Sequence, residues 1–187
     1  MEHEKKIVLA IAGEIASGKN ELADYVAKKY KGRAYRLSEV LRDILQRLDL
    51  PKSRENMQNV STMLRENFGA DIISKVAATD LSKNKSRIIA INGVRRLSDI
   101  AALKKDFLVK IIYVEADMQT RYERIGKRQE NSDERRKTFA QFKRDHKKEA
   151  ELQIASLKSK ADYVIENNGT REEFYGKVDM VIKKFNQ

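Results

Sequence analysis

The 187-residue chain contains no cysteine and a single proline. Without cysteine there are no disulfides and no cysteine-based metal site, which agrees with a reducing compartment. One proline beside 41% apolar residues excludes fibrous and disordered classes. The chain also lacks internal repeats, low-complexity tracts and Gly/Ser linkers. The apolar run near its start, Ile7 to Ala12, stops at Gly13 and Glu14 and is too short for a signal peptide or a membrane span. The expectation is a soluble, cytoplasmic protein forming one domain over residues 1–187.

Positive charge is plentiful. The net charge of +11 implies an anionic partner, and residues 121–148 hold eleven Lys or Arg against five Asp or Glu. Nucleic acid is one such partner. A segment that closes over a polyphosphate is another, and it needs arginines in the same way.

Short apolar runs alternate with helical stretches from end to end, the pattern of an α/β fold with a parallel sheet. The runs are Ile7 to Ala12, Ala34 to Leu37, Ile88 to Ile91, Leu108 to Val114 and Tyr163 to Ile165. Several do not alternate with polar residues, as strands covered on both faces should not. Leu22, Val26 and Tyr30 share one helix face, and Val40, Leu41, Ile44, Leu45 and Leu48 form a stripe on the next. Residues 52–83 read as two helices with no strand between them, an insertion after the second strand. Thr170 and Glu173 form a capping box before a last helix that buries Phe174, Val178, Val181, Ile182 and Phe185.

The stretch GEIASGKN at residues 13–20 carries the main chemical signal. It follows a strand, opens a helix, and supplies Gly13, Gly18 and Lys19 of the phosphate-loop pattern G-x-x-x-x-G-K-[ST]. Glycines let the backbone curl so that N–H groups point inward, the helix adds its positive end, and the lysine reaches the β- and γ-phosphates. The amides of Gly13, Ala16, Ser17, Gly18, Lys19 and Asn20 would line the phosphates. Asn20 stands where a magnesium-binding hydroxyl is expected. In IIAINGVRR a second amide, Asn92, stands where a strand commonly ends in an Asp that orients the metal's water shell. Asn92 equally suits a plain turn with Gly93.

Arg95 and Arg96 follow at the carboxyl end of that strand, where open parallel sheets bind ligands. Two planar guanidinium groups there suit an anionic acceptor, although a solvated turn has the same composition. In RYERIGKR the spacing puts Arg121, Arg124 and Arg128 on one helix face that leads into a charged stretch, QENSDERRKT, suited to a lid over residues 126–138.

These residues together resemble the phosphate-loop nucleoside and nucleotide kinases, nearest to the dephospho-coenzyme A kinases and the adenylate-kinase-like nucleoside monophosphate kinases. The likeness covers nearly the whole chain and rests on GEIASGKN, NGVRR, RYERIGKR and ADYVIENNGTREE. It implies a three-layer α/β/α fold with a five-stranded parallel sheet in the order 2-3-1-4-5, and a helical acceptor-binding region over residues 38–83. It implies ATP and Mg2+ as cofactors, with Lys19 and the loop holding the donor's phosphates and Asn20 and Asn92 nearest the metal. NGVRR is similar to the D-G-F-P-R segment of monophosphate kinases, which assigns the acceptor phosphate to Arg96, with Arg95 beside it. Arg124 would stack on the donor's base and Arg128 would meet its phosphates. Asn167, Asn168 and Gly169 would lie beside the adenine. Glu39 matches the acid that takes a proton from a sugar hydroxyl, and it equally suits the first turn of a helix. Arg42, Arg54 and Arg65 are candidates for clasping an acceptor phosphate.

The reading taken forward is ATP-dependent phosphoryl transfer to dephospho-coenzyme A or a nucleoside monophosphate. A catalytically impaired ATP-binding module, motivated by Asn20 and Asn92, is the alternative. A nucleic-acid-directed kinase or ATPase is a third, but stacking aromatics within the basic segment are few: Tyr122, Phe139 and Phe142. The expected partners are small nucleotides, with no membrane and no nucleic acid, and the sequence leaves the oligomeric state open.

Overall fold

The computed structural model describes residues 5–127, 138–145 and 149–185. Five strands appear among them, β1 (Ile7–Ala12), β2 (Arg33–Arg36), β3 (Ile88–Asn92), β4 (Leu108–Glu115) and β5 (Tyr163–Glu166). They form one parallel sheet in the order β2-β3-β1-β4-β5. After β1 comes α1 (Lys19–Lys29), and after β2 come α2 (Leu37–Arg47), α3 (Arg54–Phe68) and α4 (Ile72–Ser82) with no strand among them. Beyond β4 lie α5 (Met118–Lys127), α6 (Phe139–Asp145) and α7 (Glu149–Ser156), and α8 (Arg171–Lys183) follows β5. The expected fold, strand order and helical insertion are all present.

β1 shows why this sheet reads as continuous apolar runs. Its six residues are all buried, with successive side chains on opposite faces. Val8, Ala10 and Ala12 pack with Ile89, Ile91 and Tyr113 against α2, α4 and α7. Ile7, Leu9 and Ile11 pack with Ala90, Ile112 and Ile165 against α1 and α8. Each fully buried Leu or Ile contributes roughly 1.5–3 kcal/mol of transfer free energy. The sheet is therefore fixed at its centre, while β2, β5 and the first residue of β4 carry its exposed positions.

The stripe expected on α2 ends earlier than its spacing suggests. Helix α2 stops at Arg47 and Leu48 is 57% exposed, while Val40 and Leu45 of the stripe are buried, Leu41 and Ile44 pack against the core, and Leu37 joins them. Leu37 itself opens α2 rather than closing β2. At the other end of the chain the Thr170–Glu173 capping box forms as expected.

A polar network ties α1 to α8 outside the core. The rings of Tyr25 and Tyr175 stack with centroids 3.8 Å apart. Asp179 accepts hydrogen bonds from Tyr25 Oη (2.9 Å), Tyr30 Oη (2.6 Å) and Lys29 Nζ (2.6 Å). Burial pushes the Asp179 carboxyl up, but the donors from Lys29, Tyr30 and Tyr25 outweigh it and leave the group below its ordinary value. Burial, and then the bond to Asp179, pushes the Tyr30 hydroxyl up to about 12.

Register decides where the site lies. Asn92 at the end of β3 pairs with Ile11 of β1 and with Arg36 of β2. The carboxyl ends of three neighbouring strands are therefore level. The GEIASGKN loop, the start of α2 and the NGVRR turn all leave the sheet at that one edge.

Candidate active site

The loop between β1 and α1 has a backbone that most side chains resist. Gly13 and Gly18 have φ of +142° and +111°, and Ala16 is left-handed at +60°. A Cβ on Gly13 would come 2.2 Å from the Val114 carbonyl oxygen, and one on Gly18 would come 2.2 Å from Asn167 Nδ2. Both positions need glycine for space as well as for φ. Asn167 braces the loop from beneath: its Nδ2 donates to the Ser17 carbonyl (2.8 Å), while its own N–H donates to the Glu115 carbonyl (2.8 Å). Lys19 opens α1, and its ammonium donates to the Glu14 carbonyl at 2.7 Å, which keeps the charge against the loop. Ser17 is fully buried, and its hydroxyl has no partner among the described residues.

Helix α5 forms a second wall. Arg121 is 2% exposed, pairs with Glu14 (Nη2 to Oε2, 3.0 Å) and donates from Nε to the Ala116 carbonyl (3.0 Å). It also lies 5.7 Å from the ring centre of Phe142 in α6, so it joins the loop to the helix beyond the expected lid. This places Arg121 under the loop, on a different task from the one its helical spacing suggested. Arg124 is half-buried, and burial lowers its pKa from the ordinary value. One guanidinium nitrogen of each, Nη1, is buried without a partner among the described residues. Arg128 and lid residues 128–137 lie outside the described residues.

Beyond Asn167, Asn168 accepts from the Asp117 N–H (2.8 Å) and donates to Glu166 (2.8 Å), linking the turns after β4 and β5. Gly169 directly precedes the Thr170 cap of α8. Tyr122 packs on Phe139 and Phe142, with centroids 5.2 Å and 5.8 Å away. The aromatics of the basic segment thus pack on one another.

The two amides meet. Asn92, 6% exposed, donates from Nδ2 to Asn20 Oδ1 across the gap between β3 and α1. Immediately beyond Asn92, the turn at Gly93 enters a cleft between α2, α3 and the NGVRR segment. Arg54, Arg65, Arg95 and Arg96 line it, together with Ser38, Leu41 and Met57. Arg42 and Glu39 are not among its lining residues. Glu39 lies in the first turn of α2, its side chain 51% exposed and 3.8 Å from Arg42.

Asp99 organises this cleft, and the sequence reading did not single it out. It is 3% exposed and accepts from Arg65 Nη2 (2.8 Å) through one oxygen. Through the other it accepts the N–H groups of Arg95 (2.8 Å) and Arg96 (3.1 Å). The carboxylate folds the turn that carries two arginines and orients a third. Its signal in the sequence was an acid three residues after Arg96, where a side chain can cap the start of a short helix.

A nucleotide's phosphates fit this arrangement. The start of α1 offers N–H groups and a positive dipole end, with Lys19 beside them. The partnerless atoms of Ser17, Arg121 and Arg124 can all donate to an anion. A protein-held Mg2+ fits poorly, because the side chains where its ligands would stand are neutral amides bonded to each other. Among the described residues no group of three or more His, Cys, Asp or Glu could hold a metal.

Comparison with known proteins agrees with the fold. Residues 13–143 match the family model described as an AAA domain. A UPF0200 protein of Sulfurisphaera tokodaii is 32% identical over 177 residues, covering 95% of this chain and 96% of the relative. The chain belongs to these families. Another UPF0200 protein, from Pyrococcus horikoshii, is 29% identical over 187 residues, covering 95% of this chain and 97% of its own length. Among solved structures, the shikimate kinase of Bacteroides thetaiotaomicron has a TM-score of 0.64 at 11% identity, covering 98% of this chain and 100% of the kinase. The shikimate kinase of Acinetobacter baumannii in complex with shikimate has a TM-score of 0.55 at 14% identity, covering 96% of this chain and 94% of its own. At these identities the likeness is one of fold, and the fold of this UPF0200 chain is that of the phosphate-loop kinases. The AAA match runs from Gly13 into α6 and so takes in the loop, the insertion and the arginine cleft.

Proposed function

We propose that the chain is a phosphotransferase that moves the γ-phosphoryl group of ATP to a small nucleotide-like acceptor. One observation carries the reading: a braced phosphate loop and an arginine-lined cleft stand side by side at one sheet edge, joined through Asn20 and Asn92. Lys19 would exchange the Glu14 carbonyl for the donor's phosphate oxygens. Arg124, and Arg128 from the segment beyond α5, would neutralise the donor, and Asn168 and Gly169 would border its base. Arg95, Arg96 and the Asp99-held Arg65 would clasp the acceptor. Any Mg2+ would be carried by the nucleotide's own phosphates and water. Preorganised positive charge of this kind stabilises the spreading charge of the transferring group without reorganisation.

The cleft favours an acceptor that is already anionic. A hydroxyl acceptor needs a base in reach. Asp99, the carboxylate lining the cleft, is committed to Arg65 and two N–H groups, while Glu39 faces solvent. A phosphate oxygen needs no base, which favours nucleoside monophosphates over dephospho-coenzyme A. The Asn20–Asn92 bond supports the second reading, an ATP-binding module with impaired chemistry. Both readings place the protein among soluble small nucleotides in the cytoplasm.

The test is coupled ADP release from ATP against nucleoside monophosphates and dephospho-coenzyme A. An acceptor should stimulate release, and Lys19→Ala should lower turnover roughly 10²- to 10³-fold. Turnover unchanged in Lys19→Ala removes the loop assignment. ATP-dependent stabilisation with no acceptor turnover favours the module.

A further inference from the structure

The Asn20–Asn92 contact bears on more than packing. We infer that nucleotide binding by this chain is uncoupled from a divalent metal, because an amide pair occupies the place of the protein's metal ligand. The inference rests on the nucleotide-binding reading above.

The oxygen at position 20 is the atom that would face a cation, and an N–H of Asn92 already engages it. To ligate Mg2+, Asn20 would have to release that bond and leave a donor unsatisfied on a side chain that is 6% exposed. If the bond stayed, its hydrogen would stand next to the cation. Mg2+ requires near-octahedral oxygens at short range and gives up water reluctantly, so a shared, neutral amide oxygen competes badly with solvent.

The carboxylates around the site do not fill the gap. Glu14 pairs with Arg121, and Asp99 with Arg65. Glu21 turns toward α8, bonded to Tyr175 and 3.1 Å from Arg171. Glu39 stands half exposed beside Arg42. Positive charge for the phosphates comes instead from fixed cations, Lys19 at the loop and Arg124 on α5.

Linkage makes this measurable without catalysis. If the protein contributes nothing to holding the metal, Mg2+ changes the protein's affinity for ATP by the same factor as the protein changes ATP's own affinity for Mg2+, and that factor is near one. Isothermal titration of the full chain with ATP, in EDTA and in Mg2+, reads that factor. The expected change in Kd is less than about fivefold, the lower end of ordinary coupling between sites. A change of about fivefold or more in favour of Mg-ATP overturns the inference and leaves nucleotide binding intact. Absence of binding in both media removes the nucleotide reading and the inference together. N20T/N92D, which supplies a hydroxyl and a carboxylate, should raise the factor above that of the wild type. A folded double variant with an unchanged factor shows that the amides are not what sets it.

Discussion

Asn167 performs a task that its place in the sequence does not announce. The resemblance to an adenine-side segment gives no hint that its amide supports the Ser17 carbonyl and fills the space against Gly18. Gly18→Ala tests that packing. The new methyl would meet Asn167 Nδ2 at 2.2 Å in a backbone with φ +111°. The variant should lose about 1–3 kcal/mol, the usual cost of a strained conformation held by its surroundings. A melting temperature equal to that of the wild type would show that loop and Asn167 are not rigidly coupled. The amides at 20 and 92 illustrate the same limit of a linear reading. Each stood out as a departure from pattern, yet their contact depends on the register that sets Asn92 beside Ile11.

Elements were far more legible than their partnerships. Strands β1, β3 and β4 are apolar because both faces are covered, so their runs could be read directly, and the α3–α4 insertion followed from missing strand signals. The apolar spacing on α2 continues to Leu48, one residue beyond the helix, and only exposure separates Leu48 from the buried stripe. The NGVRR turn was located by its arginines, but not the Asp99 that folds it, since a buried acid and a surface acid are written with the same letter. Replacing that acid, Asp99→Asn, leaves Arg65 in the cleft without a counter-charge. Its side chain is 12% exposed, so the loss should approach the roughly 3–5 kcal/mol of a broken buried pair. Urea denaturation reads it, and a loss below about 1 kcal/mol, the range of exposed pairs, would mean that solvent reaches the pair.

At the scale of the molecule, the α1–α8 network makes stability depend on pH at both extremes. Asp179 is held below its ordinary value, so its contribution is present above about pH 4 and is lost as pH falls through the lower folded value. Tyr30 is raised to about 12, so its contribution is present below its unfolded value near 10 and is lost as pH rises toward 12. The difference in melting temperature between wild type and Asp179→Asn should be flat between these limits and shrink outside them. A difference independent of pH would show that the carboxylate acts by packing alone. The same architecture orders the protein's synthesis. The GEIASGKN loop at residues 13–20 is made well before the amide that supports it, at position 167, and the carboxylate that pins its helix, at 179. A chain still emerging from the ribosome therefore carries the loop sequence long before it carries the braced loop, which forms only after Asn167 has been made.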